Sequence, residues 1–334
     1  ALCLRGGGSK DFYGEAPQGE LLDLREYRGI VAYEPTELVI TARCGTPMVE
    51  SEALLRHNGQ MLAFEPPYFS GDATVGGVVA AGLSGPRRAS AGAVRDFVLG
   101  VKLMDGRGDV LSFGGQVMKN VAGYDVSRLM AGSLGTLGLI LEVSIKTQPQ
   151  PVTELTLLLE MPQDKAIATF NQWAAQPLPI SACVWNDGDV GVRLSGAEAA
   201  VVSAAEKLGG QRVEPAQAER FWRGIREHTD PFFNASEPLW RLSLPSTTPP
   251  LELPGEQMIE WNGALRWLLT HTDARNLREL VAGHGGHASL FRAGDKSAGA
   301  FHPLGAPAMA IHRRLKESFD PKGVFNRGRM YAHF

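Results

Sequence analysis

The sequence predicts an α+β protein in two lobes. Three observations lead there. The chain has 334 residues, about twice an ordinary single domain. Strand-like runs are mixed with amphipathic helices, which suggests sheet on one side and helices on the other. Composition also shifts after about residue 150: glycine totals 39, and 23 of these lie in the first 138 residues. The predicted division is 1–150 for the first lobe, 151–305 for the second, and 306–334 as a C-terminal segment returning to the first.

Each element has its own signal. Leu2 and Leu4 alternate with Ala1, Cys3 and Arg5 straight into Gly6-Gly7-Gly8-Ser9. This reads as a strand entering a loop, its sheet neighbours expected upstream of the first residue. The β-branched runs 30–33 and 38–42 read as strands. Thr46 reads as an N-cap with Pro47 at the first helical position, and Gly59 as the stop. Apolar alternation on both sides of Asp105-Gly106 predicts a hairpin. Residues 139–146 alternate as a half-buried strand ended by Pro149 and Pro151. The second lobe reads strand (155–159), helix (164–175), hairpin at Asn186-Asp187-Gly188, and helices at 197–208 and 220–228. Strands at 240–244 and 258–267, a helix at 273–282, a strand at 287–292 and a helix at 310–319 complete it.

Composition excludes several function classes. Apolar residues are 44% and charged residues 21%, ordinary for a folded soluble domain. The net charge of −3 argues against a basic nucleic-acid binder. No uninterrupted apolar run is long enough to cross a bilayer. Cys3, Cys44 and Cys183 are too few and too scattered for a disulfide framework, an iron–sulfur cluster or a zinc site. A reducing, cytoplasmic compartment fits them best.

The glycines are organised into four loops: 5–10, 71–77, 115–125 and 132–138. Bare backbone amides in such loops form anion-binding nests. The diphosphate of a dinucleotide, large and doubly negative, is the ligand that several loops together could surround. No G-x-G-x-x-G opens a β–α–β unit and no Gly-Lys-Ser or Gly-Lys-Thr occurs, so neither a Rossmann site nor a P-loop is supported.

The run Arg5-Gly6-Gly7-Gly8-Ser9, the run Phe69-Ser70-Gly71-Asp72-Ala73-Thr74-Val75-Gly76-Gly77, and the segment Gly132 to Gly138 together resemble the FAD-binding domain of the vanillyl-alcohol-oxidase superfamily. The segment Lys119 to Met130 and the ending Phe319-Asp320-Pro321-Lys322-Gly323-Val324-Phe325-Asn326-Arg327-Gly328-Arg329 are similar to the FAD-binding E subunits of glycolate oxidase. Arg327 stands where that family usually has proline. The resemblance covers 1–150 and 306–330 strongly and 150–305 weakly.

That resemblance implies a two-lobed PCMH-type FAD-binding domain with an α+β cap. It implies that Arg5, Gly6, Gly7, Gly8 and Ser9 cradle the FAD diphosphate, helped by Gly71, Asp72 and Thr74. Gly76 and Gly77 would let backbone approach the cofactor. Gly123, Gly135, Gly138 and Ile140 would line the adenosine or diphosphate region, and Asn326 would lie near the isoalloxazine. Residues 5–14 hold no His or Cys, so the FAD is expected to be non-covalent at that loop. The resemblance further implies a flavoprotein D subunit and an iron–sulfur F subunit as partners, glycolate or another small 2-hydroxy acid as substrate, and a cytoplasmic location, peripheral to the inner membrane through the complex.

Oxidation of a 2-hydroxy acid needs a hydride acceptor, a base for the hydroxyl proton and a cation for the carboxylate. Candidate bases are His284, His287 and Tyr124. Candidate clamps are Arg87, Arg88, Arg241 and Arg292. In a regular strand over 287–292, His287 and Arg292 would face opposite sides. His284 and His287 lack an acidic third ligand, so no metal site is expected. Two other readings remain open: a self-sufficient FAD oxidoreductase, and a non-catalytic scaffold subunit.

Overall fold

The structure is a computed structural model that describes residues 1–115 and 124–332. The chain divides into two compact units. The first comprises Ala1–Ser84, Gly92–Gln150 and Pro303–Phe334; the second comprises Gly85–Ala91 and Pro151–His302. Gly85–Ala91 thus departs from the sequence-based boundary at 150. The cause is local: Trp261 Nε1 donates to Gly85 O at 3.0 Å, Ser90 Oγ donates to Ser181 O at 2.9 Å, and Arg87 pairs with Glu154.

The first unit is built on a five-stranded antiparallel sheet in the order Ile30–Glu34, Val39–Arg43, Leu139–Lys146, Val98–Met104, Val110–Gly114. A parallel pair, Leu2–Arg5 with Glu20–Asp23, stands apart from it. The Asp105-Gly106 signal does mark a hairpin, but the turn spans 105–109. Buried Asp105 organises it, its Oδ1 accepting from the amides of Arg107 at 2.8 Å and Asp109 at 3.0 Å. Helix Met48–His57 starts without a side-chain cap. Thr46 is not its cap: buried Thr46 Oγ1 accepts from Gly29 N at 2.9 Å and so ties two loops together.

The second unit is an eight-stranded antiparallel sheet. Its order is Gln211–Arg212, Thr153–Glu160, Asp189–Gly196, Ile180–Asn186, Glu256–Glu260, Leu265–Leu269, Leu239–Ser243, His287–Arg292. The single strand expected over 258–267 is two. Asn262 and Gly263, both at positive φ, reverse the chain between them, an asparagine–glycine turn of the kind hairpins favour. Helices Gln163–Ala174 and Glu198–Leu208 cover one core, around Leu157, Phe170, Val192 and Val201. Helix Ala274–Gly283 covers another, around Trp240, Leu242, Leu268, Leu277 and Val281.

Candidate functional site

A cavity of about 390 Å3 opens in the first unit, within the size range of small-molecule sites. Its wall is made by the end of the first strand and the loop after it (residues 3–11), by Cys44, by the start of helix Val75–Ala81, by Leu134, Gly135 and 138–140, and by Asn326 and Arg329. Residues more than 300 apart in sequence therefore share one wall.

Backbone chemistry dominates the 5–10 loop. Among the described residues, no acceptor within the chain receives the amides of Gly7, Gly8 and Ser9. Three successive donors are left to solvent or a ligand. Arg5 Nε donates to Asp11 Oδ2 at 2.7 Å across the base of the loop. Arg329 holds the loop from the other side, its two terminal nitrogens donating to Glu15 O at 2.7 Å and Lys10 O at 3.0 Å. Burial lowers the Arg329 pKa from its ordinary value, yet an arginine so lowered stays charged at neutral pH.

The glycines serve close packing of protein on protein as well as space for a ligand. A Cβ at Gly7 would overlap the carbonyl oxygen of Asp72, and one at Gly6 would overlap Thr74 Oγ1. At Gly76 a Cβ would come within 2.5 Å of Cys44 Cβ. Gly76 is thus required where helix Val75–Ala81 meets the chain at Cys44. Thr74 caps that helix, its Oγ1 accepting from Gly77 N at 3.3 Å.

Asn326 closes the far wall. It is buried, with φ +42°. Its Oδ1 accepts from Leu4 N at 2.7 Å and its Nδ2 donates to Leu134 O at 2.6 Å. A side chain at Gly135, which has φ +70°, would come within 2.7 Å of that Nδ2. Behind Asn326 lies a buried ion pair. Lys316 Nζ donates to Asp320 Oδ2 at 2.7 Å, Thr136 O at 2.6 Å and Phe325 O at 2.9 Å. Asp320 in turn accepts the amides of Val324 and Phe325, both at 2.8 Å.

Residues 1–114 match a family described as an FAD binding domain. Over 331 residues, the chain is 50% identical to the glycolate oxidase subunit GlcE of Escherichia coli K12, covering 99% of this chain and 93% of that one. The chain belongs to the GlcE family of glycolate oxidase subunits. It is also 33% identical over 158 residues to the glycolate oxidase subunit GlcD of Bacillus subtilis, covering 46% of this chain and 33% of that one. A D-lactate dehydrogenase of Anaerostipes hadrus is 29% identical over 202 residues, covering 60% of this chain and 40% of that one. This GlcE-family chain therefore spans less than half the length of those two relatives. Among solved structures, alkyldihydroxyacetonephosphate synthase has the same fold: TM-score 0.66 at 14% identity, covering 97% of this chain and 72% of that one.

Of the sequence-named cofactor residues in this GlcE-family chain, Arg5, Gly6, Gly7, Gly8, Ser9, Thr74, Gly76, Gly77, Gly135, Gly138, Ile140 and Asn326 come together on the cavity wall. Gly71 and Asp72 are exposed and do not line it; Asp72 instead backs Gly7 through its carbonyl. Gly123 lies outside the described residues. Cys3, Cys44, Lys10 and Arg329 line the cavity without having been named. No local pattern marks them, because their place depends on segments that meet only on folding.

The base and clamp candidates are placed elsewhere. Tyr124 is 96% exposed and does not line the cavity. His284, at the end of helix Ala274–Gly283, and His287 are exposed on the second unit. Arg87 is buried against Glu154, and Arg88 lies over the Trp261 ring. Among the described residues no group of three or more His, Cys, Asp or Glu side chains could hold a metal ion, and no helix is long and apolar enough to cross a membrane.

Proposed function

We propose that this chain is the FAD-binding subunit of a glycolate-oxidising complex and holds FAD non-covalently in the cavity of its first unit. The observation that carries the reading is the set of amides at Gly7, Gly8 and Ser9, which line that cavity and donate to no acceptor among the described residues. Such a run of donors, with the Arg5 and Arg329 guanidiniums at its two sides, matches the charge and size of a diphosphate. FAD, when bound, supplies the acceptor for the hydride of a 2-hydroxy acid.

The chain's own residues bind and orient. Gly7 to Ser9 would donate to the phosphate oxygens of the bound diphosphate. Arg5 and Arg329 fix the loop that presents those donors. Asn326 holds the first strand and the 134–135 turn in register. Cys3, Cys44, Leu134 and Ile140 exclude water from the apolar part of the wall. Cys3, Cys44 and Cys183 are far apart in sequence, and two of them are buried. They offer no cluster ligand set, so electrons leave the chain to oxygen, a quinone or a partner protein. A GlcD-like flavoprotein and an iron–sulfur subunit are the proposed partners.

The test is an absorbance spectrum of the purified chain. Flavin bands near neutral pH, lost to the supernatant on acid precipitation, support non-covalent FAD. A colourless chain that takes up no added FAD refutes the reading.

A further inference from the structure

Strand His287–Arg292 is the last in the order of the second unit's sheet and pairs on one side with Leu239–Ser243. The pairing runs His287 to Ser243, Ala288 to Leu242, Ser289 to Arg241 and Leu290 to Trp240, then passes over Phe291 and resumes with Arg292 opposite Leu239. A bulge of one residue reverses the alternation of side chains beyond it. Arg292 therefore lies on the face of His287 and Arg241, and the expected separation of His287 from Arg292 does not hold.

The other side of this strand is where a sheet would end in a row of unpaired amides, a template for another chain. Here the segment 298–302 runs along it. Leu290 N donates to Ala300 O at 2.7 Å. Two residues back, Ala288 N donates to His302 Nδ1 at 3.3 Å. The two bonds keep antiparallel register, since two residues back on one segment meet two residues on along the other. The first acceptor is a backbone carbonyl; at the second, an imidazole nitrogen stands in for one. Arg278, buried on helix Ala274–Gly283, clamps the same segment. Its two terminal nitrogens donate to Ala298 O and Gly299 O, both at 2.6 Å, and its guanidinium lies 5.4 Å from the Trp240 ring centroid. Gly299, at φ +80°, donates its amide to Lys296 O at 2.8 Å and turns the segment back along the edge.

The imidazole bond fixes a protonation state. A backbone amide can only donate, so Nδ1 offers a lone pair and the His302 ring is neutral. A proton on Nδ1 would set two donors against each other. The charged groups around the ring are mostly cationic. Arg278 faces it from the helix and His287 from the strand, and Arg241 acts on His287 from the next strand. The His302 pKa is lowered by burial, then by Arg278; the His287 pKa is lowered by burial, then by Arg241 and His302. Arg292 is half-buried at the far end of the strand. The segment itself carries Asp295 and Lys296 before its turn. Asp295 is exposed, its Oδ1 accepting from Ser297 N at 2.8 Å and its Oδ2 from Ser297 Oγ at 3.0 Å.

We propose that segment 298–302 is an acid-released strap over the outer edge of the second unit's sheet, with His302 as its proton-sensitive bond and Arg278 as its constant clamp. The neutral ring holds the strap above the ordinary histidine value of 6.5. As pH falls beneath that value, protonation removes the bond and leaves the buried Ala288 amide without its acceptor. The guanidinium of Arg278 keeps its charge throughout. Opening bares the sheet edge from Ala288 to Leu290.

Hydrogen exchange of the full chain, read by mass spectrometry and corrected for the intrinsic effect of pH, tests the strap. Wild-type protection over 287–292 should fall at least about tenfold between pH 7.5 and pH 5.5, while strand Asp189–Gly196 of the same sheet keeps its protection. His302→Asn sets an amide oxygen where Nδ1 stands and does not titrate, so its protection should match wild type at pH 7.5 and persist at pH 5.5. His302→Ala should lose protection at both. Equal wild-type protection at the two pH values overturns the proposal. So does an asparagine variant that keeps the pH dependence, which would move the proton to another group such as His287, or one that is as unprotected as alanine at both. Equal loss in strand Asp189–Gly196 overturns it too, since the sheet would then be opening as a whole.

Discussion

Lys316→Met tests whether the C-terminal segment is built into the cofactor cavity or merely lies near it. The ammonium is buried and satisfies three oxygens from three parts of the chain: Thr136, Asp320 and Phe325. Methionine keeps the length of the side chain and removes every donor. Asp320, only 1% exposed, is left as a buried charge supported by the Val324 and Phe325 amides alone. Breaking a buried ion pair from one side costs about 3–5 kcal/mol. At about 2–4 °C per kcal/mol for a unit of 150–250 residues, the melting temperature should fall by about 6–20 °C. The loss should reach the cavity as well. Phe325 and Asn326 follow directly from the contact, and Asn326 fixes Leu4 and Leu134. FAD affinity, read by flavin fluorescence quenching, should drop about tenfold, equivalent to about 1.4 kcal/mol. Asp320→Asn should behave alike. The double variant should cost less than the sum of the two by about 0.5–3 kcal/mol, because both changes remove one shared contact. A Lys316→Met chain that melts within about 2 °C of wild type and binds FAD equally well would refute this reasoning.

Three further outcomes follow from the same structure. Gly7→Ala places a methyl on the Asp72 carbonyl and should abolish FAD uptake, whereas Gly71→Ala, with nothing within 4 Å of the new atom, should leave affinity and melting temperature unchanged; equal effects at the two positions would show that loop packing does not matter. Burial pushes the Cys44 thiol up to about 11 and the Cys183 thiol up to about 12, so at pH 8 a thiol reagent should label native protein at half-buried Cys3 first, and bound FAD should slow that labelling because Cys3 lines the cavity. His228 and His287 both have pKa values lowered from 6.5; below that pH the unfolded chain takes up protons that the folded chain refuses, so stability should be full above pH 6.5 and fall as pH drops beneath it. Thermal melts at pH 8 and pH 5.5 read the effect, and His228→Phe should reduce the pH-dependent part.

Much of this molecule is legible without coordinates because its signals are local. Leu2 and Leu4 alternate, Asp187-Gly188 turns a hairpin, and Gly6 to Gly8 announce a backbone that needs room. Each depends on what one residue does to its own dihedral angles or to the pleat it sits on. The likeness to FAD-binding subunits is carried by the same residues, since the nest is a backbone device and glycine is its signature. Tertiary structure decided the rest. Nothing in the sequence near Gly76 says that its hydrogen faces Cys44, and nothing near Lys316 says that Thr136 waits for its ammonium. Residues 258–267 read as one strand because Asn262-Gly263 is flanked on both sides by apolar residues that any strand would welcome. Phe291 bulges because the strand beside it runs out of register there, and that single displaced residue moves Arg292 out of a core and onto the face of Arg241. Pattern along a chain reports each side chain's preference. Which preferences meet across a sheet or a cavity wall is set by register and by loop closure, which are properties of pairs of segments rather than of either one.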